Sequence, residues 1–176
     1  MNFCSNCGSK NLKKTIPKFE TLPRWVCSNC DEIHYVNPKI ISGCLVVNHD
    51  KVMLCKRNIE PRYNLWNLPC GFMEMDESLL DSAVRETLEE TEASVKIEHL
   101  HCTFSLPNHG QVYFIFLAKM LDGHYATTHE SNAVEFFTED EIPWNDLAFH
   151  STEFALKTYF KSLKEGTLGT CFHGQY

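Results

Sequence analysis

The chain has two textures. Up to residue 37 it is polar, with two CxxC knuckles and too little aliphatic content to build a core of its own. From residue 39 the pattern changes. Residues 39–47 (KIISGCLVV) are mostly apolar and read as a buried strand. Asn48-His49-Asp50 is a turn signal, and residues 52–56 read as the returning strand. Residues 58–69 form a loop rich in Pro, Asn and aromatics. Residues 77–91 give the clearest helical period, with Leu79, Leu80, Ala83, Val84 and Leu88 as the expected apolar stripe. Residues 95–106 read as extended, Pro107-Asn108-His109-Gly110 as a turn, residues 111–119 (QVYFIFLAK) as a strand and 134–137 as a short one. A second helix is expected over 152–163, with Phe154, Ala155, Tyr159, Phe160 and Leu163 inward and Ser151 as its cap. The last ten or so residues carry no clear signal. Strands interleaved with two helices predict an α+β domain whose helices cover the sheet. The expected division is a small module over 1–37, the main domain over 38–165 and a tail over 166–176.

Composition narrows the setting. The 176 residues are 43% hydrophobic, which suits a packed globular protein. No apolar run is long enough to cross a bilayer, and MNFCSNCGSK lacks the apolar core of a secretory signal, so the cytoplasm is the expected location and no membrane partner is expected. The net charge is −7, unevenly spread. Residues 1–40 hold six Lys/Arg and three Asp/Glu, and the remainder holds ten and twenty. An acidic main body argues against a broad nucleic-acid surface. It is compatible with a small phosphorylated substrate, because bound divalent cations reverse the local charge.

Four of the nine cysteines form Cys4-x2-Cys7 and Cys27-x2-Cys30, separated by 19 residues. This is zinc-ribbon spacing, and four thiolates suit tetrahedral Zn²⁺ with no open position, hence a structural role. Four thiolates plus Zn²⁺ leave residues 1–40 near +1, a poor footprint for nucleic acid. Cys44, Cys55, Cys70 and Cys102 are read as packed thiols, and Cys171 has no partner spacing.

The chemistry lies in residues 71–93, GFMEMDESLLDSAVRETLEETEA. Glu86, Glu89 and Glu90 stand at i, i+3 and i+4, neighbours on a helix. Three like charges there repel one another, and a hard cation such as Mg²⁺ removes the conflict while keeping sites for water and phosphate. Arg85 lies eight residues after Glu77, along the same side, where it can tie the helix to the entering loop. Gly71 starts that loop, where a backbone carbonyl can approach a metal closely.

Residues 71–93 resemble the Nudix box, GX5EX7REUXEEXGU with U a bulky aliphatic residue. Gly71, Glu77, Arg85, Glu86, Glu89 and Glu90 match in register, while Thr87, Glu92 and Ala93 depart from the aliphatic, Gly and aliphatic positions. The resemblance implies a Nudix α/β/α sandwich and Mg²⁺ or Mn²⁺ dependence. It also implies hydrolysis of a nucleoside diphosphate linked to a second group. By position, Glu86 and Glu90 are the expected principal metal ligands, with Glu89 and the Gly71 carbonyl assisting. The general base in some members lies in a later loop or strand. HESNAVEFF offers Glu130 and Glu135, and Glu135 is the residue taken here. HYVNPKIISGCLV, LWNLPCGFME and EIPWNDLAF extend the likeness to Nudix hydrolases with an N-terminal zinc ribbon, similar to ADP-ribose and FAD pyrophosphatases. NADH pyrophosphatases also carry the ribbon, but their SQPWPFPxS signature is missing from HCTFSLPNHGQVYF, so NADH ranks below the other two. Pro107 is compatible with ADP-ribose. Arg57 and Arg62 are the expected contacts to phosphate or ribose, and Trp66 and Phe72 the expected stacking surfaces. Homodimers are common in enzymes of this kind, so a homodimer is expected by analogy.

Overall fold

A computed structural model describes all 176 residues. They fall into two compact units, Met1–Asn37 and Pro38–Tyr176.

The first unit is a three-stranded antiparallel sheet of β1 (Leu12–Thr15), β2 (Arg24–Cys27) and β3 (Ile33–His34), in that order. Its buried apolar residues are Cys4, Pro17 and Cys27, too few to form a hydrocarbon core. The two knuckles fold alike. Gly8 N–H returns to the Cys4 carbonyl at 2.9 Å, and Asp31 N–H to the Cys27 carbonyl at 3.0 Å. Both residues take the left-handed conformation, at φ +72° and +59°.

The second unit is a mixed sheet between two helices. Its elements are β4 (Lys39–Asn48), β5 (Lys51–Arg57), β6 (Trp66–Asn67), β7 (Cys70–Phe72), α1 (Leu79–Thr91), β8 (Val95–Leu106), β9 (Gln111–Met120), β10 (Ser131–Phe137), α2 (His150–Glu165) and β11 (Phe172–Gln175). The main order is β10-β5-β4-β9-β8-β11, with β6 paired to β5 and β7 to β4. The β4–β9 and β8–β11 pairs are parallel and the rest antiparallel. Alternation along β4 sorts its side chains to opposite faces. Leu45 and Val47 pack with Ala155, Leu156, Tyr159 and Phe160 of α2, while Cys44 and Val46 pack with Ala83 of α1. That two-sided burial is why β4 reads as mostly apolar rather than alternating. No helix is long and apolar enough to cross a membrane.

Several local expectations are corrected. Leu80 and Leu88 are each 49% exposed, and the buried face of α1 is Ser82, Ala83, Thr87, Glu90 and Thr91. Thr87 meets no polarity penalty there, because its hydroxyl donates to the Ala83 carbonyl at 2.7 Å. Ser151 is not a cap. Phe149 occupies that position without a side-chain hydrogen bond, and Ser151 is buried inside α2. Leu163 is exposed rather than inward. The tail beyond Glu165 contains β11, which pairs Phe172 with Cys102 through Gln175 with Ser105.

Candidate active site

The site begins where the sheet divides. β4 pairs with β5 only at Val47–Val52 and Asn48–Lys51. Nearer its start, β4 pairs instead with β7, from Ile41–Phe72 to Gly43–Cys70. β5 turns to β6 through Cys55–Asn67 and Lys56–Trp66. The carboxylate of Glu90 enters this region. Its Oε2 accepts from the Cys70 backbone N–H at 3.2 Å and from the Cys55 thiol at 3.4 Å. Helical spacing puts Glu90 on the face that Ala83 and Thr87 use for packing, which explains a 5% exposed glutamate. Burial pushes its pKa up to about 8 against the favourable Cys55 and Cys70 contacts. A bound divalent cation would act in the opposite sense, favouring the ionised form.

α1 is held at both ends. The Ser78 hydroxyl accepts from Asp81 N–H at 3.2 Å, and the Asp81 carboxylate accepts from Ser78 N–H at 3.2 Å, a reciprocal cap. At the other end Glu92 takes φ +55°, the left-handed conformation a Gly would adopt freely, and its N–H closes on the Leu88 carbonyl at 2.8 Å.

Arg85 organises the exposed acids. Its Nε and Nη2 donate to the two oxygens of Glu77 at 3.0 and 2.7 Å. Its Nη1 donates to Glu86 at 2.7 Å and Glu89 at 3.0 Å, and Nη2 reaches the Phe72 carbonyl at 3.2 Å. The guanidinium, joined by the Glu74 N–H, holds the Glu77 carboxyl down at about 2. Glu86 is shifted the other way, upward by burial, with Arg85 opposing. The Glu86 carboxylate lies directly on Gly71: a Cβ there would fall 2.1–2.4 Å from its atoms. Gly71 therefore makes room for Glu86, and a carboxylate is a donor suited to a hard cation.

One cleft of about 1130 Å³ takes in these acids. Gly71, Phe72, Arg85, Glu86, Glu89 and Glu90 line it together with Arg57 and Arg62. Phe72 is 46% exposed, with the Lys39 ammonium 4.9 Å from its ring centre. Two expected residues are not brought to the cleft. Trp66 belongs to the core, edge-on to Phe137 with ring centres 5.0 Å apart. Glu135 is exposed on β10 opposite Leu54 and does not line the cleft. Glu130, just before that strand, does line it, and its charge helps raise Glu86. Sequence reading missed Asn67, Phe149, His150, Glu153 and Tyr176 as cleft residues. Phe149, His150 and Glu153 share the start of α2, while Asn67 comes from β6 and Tyr176 follows the last strand, a grouping that no local spacing reveals.

In the first unit, the Cys4 and Cys30 sulfurs are 3.7 Å apart and those of Cys7 and Cys27 3.6 Å. All four ligand atoms lie within 4.8 Å of one another. A tetrahedron with Zn–S arms of about 2.3 Å has edges of about 3.8 Å, close to the two sulfur pairs at 3.6 and 3.7 Å, so the cluster is of the size zinc needs. The Asn29 N–H, 3.4 Å from the Cys27 sulfur, leads the groups that lower that thiol to about 7, favouring the thiolate a metal needs.

Comparison with known proteins gives a consistent picture. A family model described as the NUDIX domain matches residues 38–157, and one described as Nudix N-terminal matches residues 2–36. The solved structure of a NUDIX hydrolase from Nitrosomonas europaea is 46% identical, with a TM-score of 0.93 over 100% of this chain and 99% of that one. An ADP-ribose pyrophosphatase of Methanocaldococcus jannaschii is 26% identical over 163 residues, 90% of each chain. A NAD-capped RNA hydrolase of Pectobacterium carotovorum is 24% identical over 80% of this chain, which spans about half (52%) of that relative.

Proposed function

The chain belongs to the Nudix hydrolases, and on that premise we propose that it cleaves the pyrophosphate bond of a nucleoside diphosphate linked to a second group, with ADP-ribose or FAD as substrate and AMP as one product. The observation that carries this reading is the cleft lined by Glu86, Glu89, Glu90 and Glu130 together with Arg57 and Arg62. Such a cleft matches a diphosphate that must meet both cations and a metal-binding acidic face.

Glu86, Glu89 and Glu90 would hold Mg²⁺ or Mn²⁺, with the Gly71 backbone beside them. When bound, the ions neutralise the diphosphate and lower the pKa of water. The other steps belong to the chain. Arg85 positions Glu86 and Glu89 through the Glu77 pair. Arg57 and Arg62 bind phosphate oxygens. Glu130, in place of Glu135, is set to take the proton from attacking water. Zn²⁺ on Cys4, Cys7, Cys27 and Cys30 has a structural role, and a homodimer, measurable by light scattering, completes the reading.

NADH is the second candidate substrate, favoured by the relative that acts on NAD-capped RNA. The test is Mg²⁺-dependent release of AMP from ADP-ribose, FAD and NADH in parallel. ADP-ribose or FAD should be turned over fastest, and Glu90→Gln should abolish turnover with the fold intact. No turnover of any of the three sinks the reading, and an active Glu90→Gln protein contradicts the metal assignment.

A further inference from the structure

The tail contributes a second wall to the cleft. β11 runs parallel to β8 over four paired positions, and the Tyr176 N–H continues the ladder to the Ser105 carbonyl at 3.1 Å. Thr103 Oγ1 and His173 Nδ1 are hydrogen-bonded at 2.7 Å. Gly174 lets the strand sit flush: a Cβ there would lie 2.6 Å from Phe104 and 2.9 Å from Phe154. The strand is therefore docked in one register, and it delivers Tyr176 to the ring of His150. The two rings are 4.2 Å apart and 25° from parallel. Both residues line the same cleft as Glu86 and Glu90.

This pair is not core packing. Tyr176 is 70% exposed and His150 is also exposed. Two flat rings stacked in solvent at a cleft wall leave an open face on which a third ring can lie, with little loss of side-chain freedom because the strand already holds Tyr176. Glu153 lines this part of the wall, 3.7 Å from His150, and its carboxylate is paired with Lys157 at 2.6 Å. Arg57 lies with its guanidinium 5.3 Å from the Phe149 ring.

The geometry points to the His150–Tyr176 stack as the nucleobase subsite, taking a flat heteroaromatic ring, adenine for the substrates proposed above. This rests on that substrate reading. The test separates the two by measuring binding rather than turnover. Calorimetric titration of the full chain with AMP and with ribose 5-phosphate isolates the contribution of the base. Base–aromatic stacking predicts that Tyr176→Ala weakens AMP binding about tenfold, that Tyr176→Phe stays close to wild type, and that ribose 5-phosphate is unaffected by either. Amide exchange over residues 172–175 reports whether β11 remains paired. If Tyr176→Ala releases it, His150→Ala, which leaves the strand untouched, decides. Unchanged AMP binding in that variant, an equal loss for both ligands, or a wild-type protein that binds AMP no better than ribose 5-phosphate overturns the subsite. An intact AMP result in a protein that turns over none of the three candidates would retire the substrate reading and leave the subsite standing.

Discussion

Gly71 and Glu86 stand far apart in sequence and touch in the cleft, and each explains the other. A methyl group on Gly71 would occupy the space of the Glu86 carboxylate, which sits at the end of a flexible side chain. Gly71→Ala should therefore displace the carboxylate more than it disturbs the fold. Overpacking costs about 1–3 kcal/mol in general, whereas misplacing a catalytic group by about 1 Å costs roughly a hundredfold in rate. Turnover of the best substrate should fall by about that factor while thermal unfolding shifts by only a few degrees, and a variant of near wild-type rate would show that Glu86 is not needed where it stands. Residue identity alone could not separate Trp66 from Phe72, since both are aromatics near the start of the box. The difference is local: Trp66 is in β6 over the α2 core, while Phe72 emerges from β7 into the cleft. Glu130 and Glu135 divide in the same way, one before the strand and one exposed on it.

At the scale of elements, α1 shows how a helix can satisfy packing and chemistry with one face. Ala83 and Thr87 are small enough to bring it close to the sheet, and the same face carries Glu90 inward. A reading based on hydrophobicity selects Leu80 and Leu88, which turn outward. The helix ends at Glu92 in a left-handed conformation that costs an L residue about 1–2 kcal/mol. Part of that gain would be offset by the greater unfolded-state freedom of Gly. Glu92→Gly should thus stabilise the protein by about 0.5–1 kcal/mol, read as a rise in the urea midpoint with unchanged slope. A lower midpoint would mean that the exposed Glu92–His124 contact at 3.3 Å outweighs the backbone strain. α2 carries the opposite lesson: its Thr152 hydroxyl bonds to Asn67, a partnership across 85 positions that no local pattern contains.

At the scale of the molecule, the two units are stabilised by different means. Pro38–Tyr176 buries its own hydrocarbon core on both faces of the sheet, whereas Met1–Asn37 has four cysteines in its place. Zinc removal by a strong chelator should therefore erase amide protection in residues 1–37 and leave β4, β5, β8 and β9 protected. Loss of protection in those strands would show that the ribbon metal supports the whole chain. The sequence by itself determined what depends on short spacings: the paired cysteines, the register of Gly71, Glu77, Arg85, Glu86, Glu89 and Glu90, and the largely apolar stretch of β4. Tertiary structure alone decided which of these groups meet. The division of β4 between β5 and β7 lets Glu90 in between Cys55 and Cys70, and parallel pairing on β8 brings the silent tail to His150. The physical reason is range. Helical period, caps and metal knuckles are written within a few residues, while strand pairing and the shape of a cleft depend on segments far apart in the chain, whose contacts exist only once the sheet has formed.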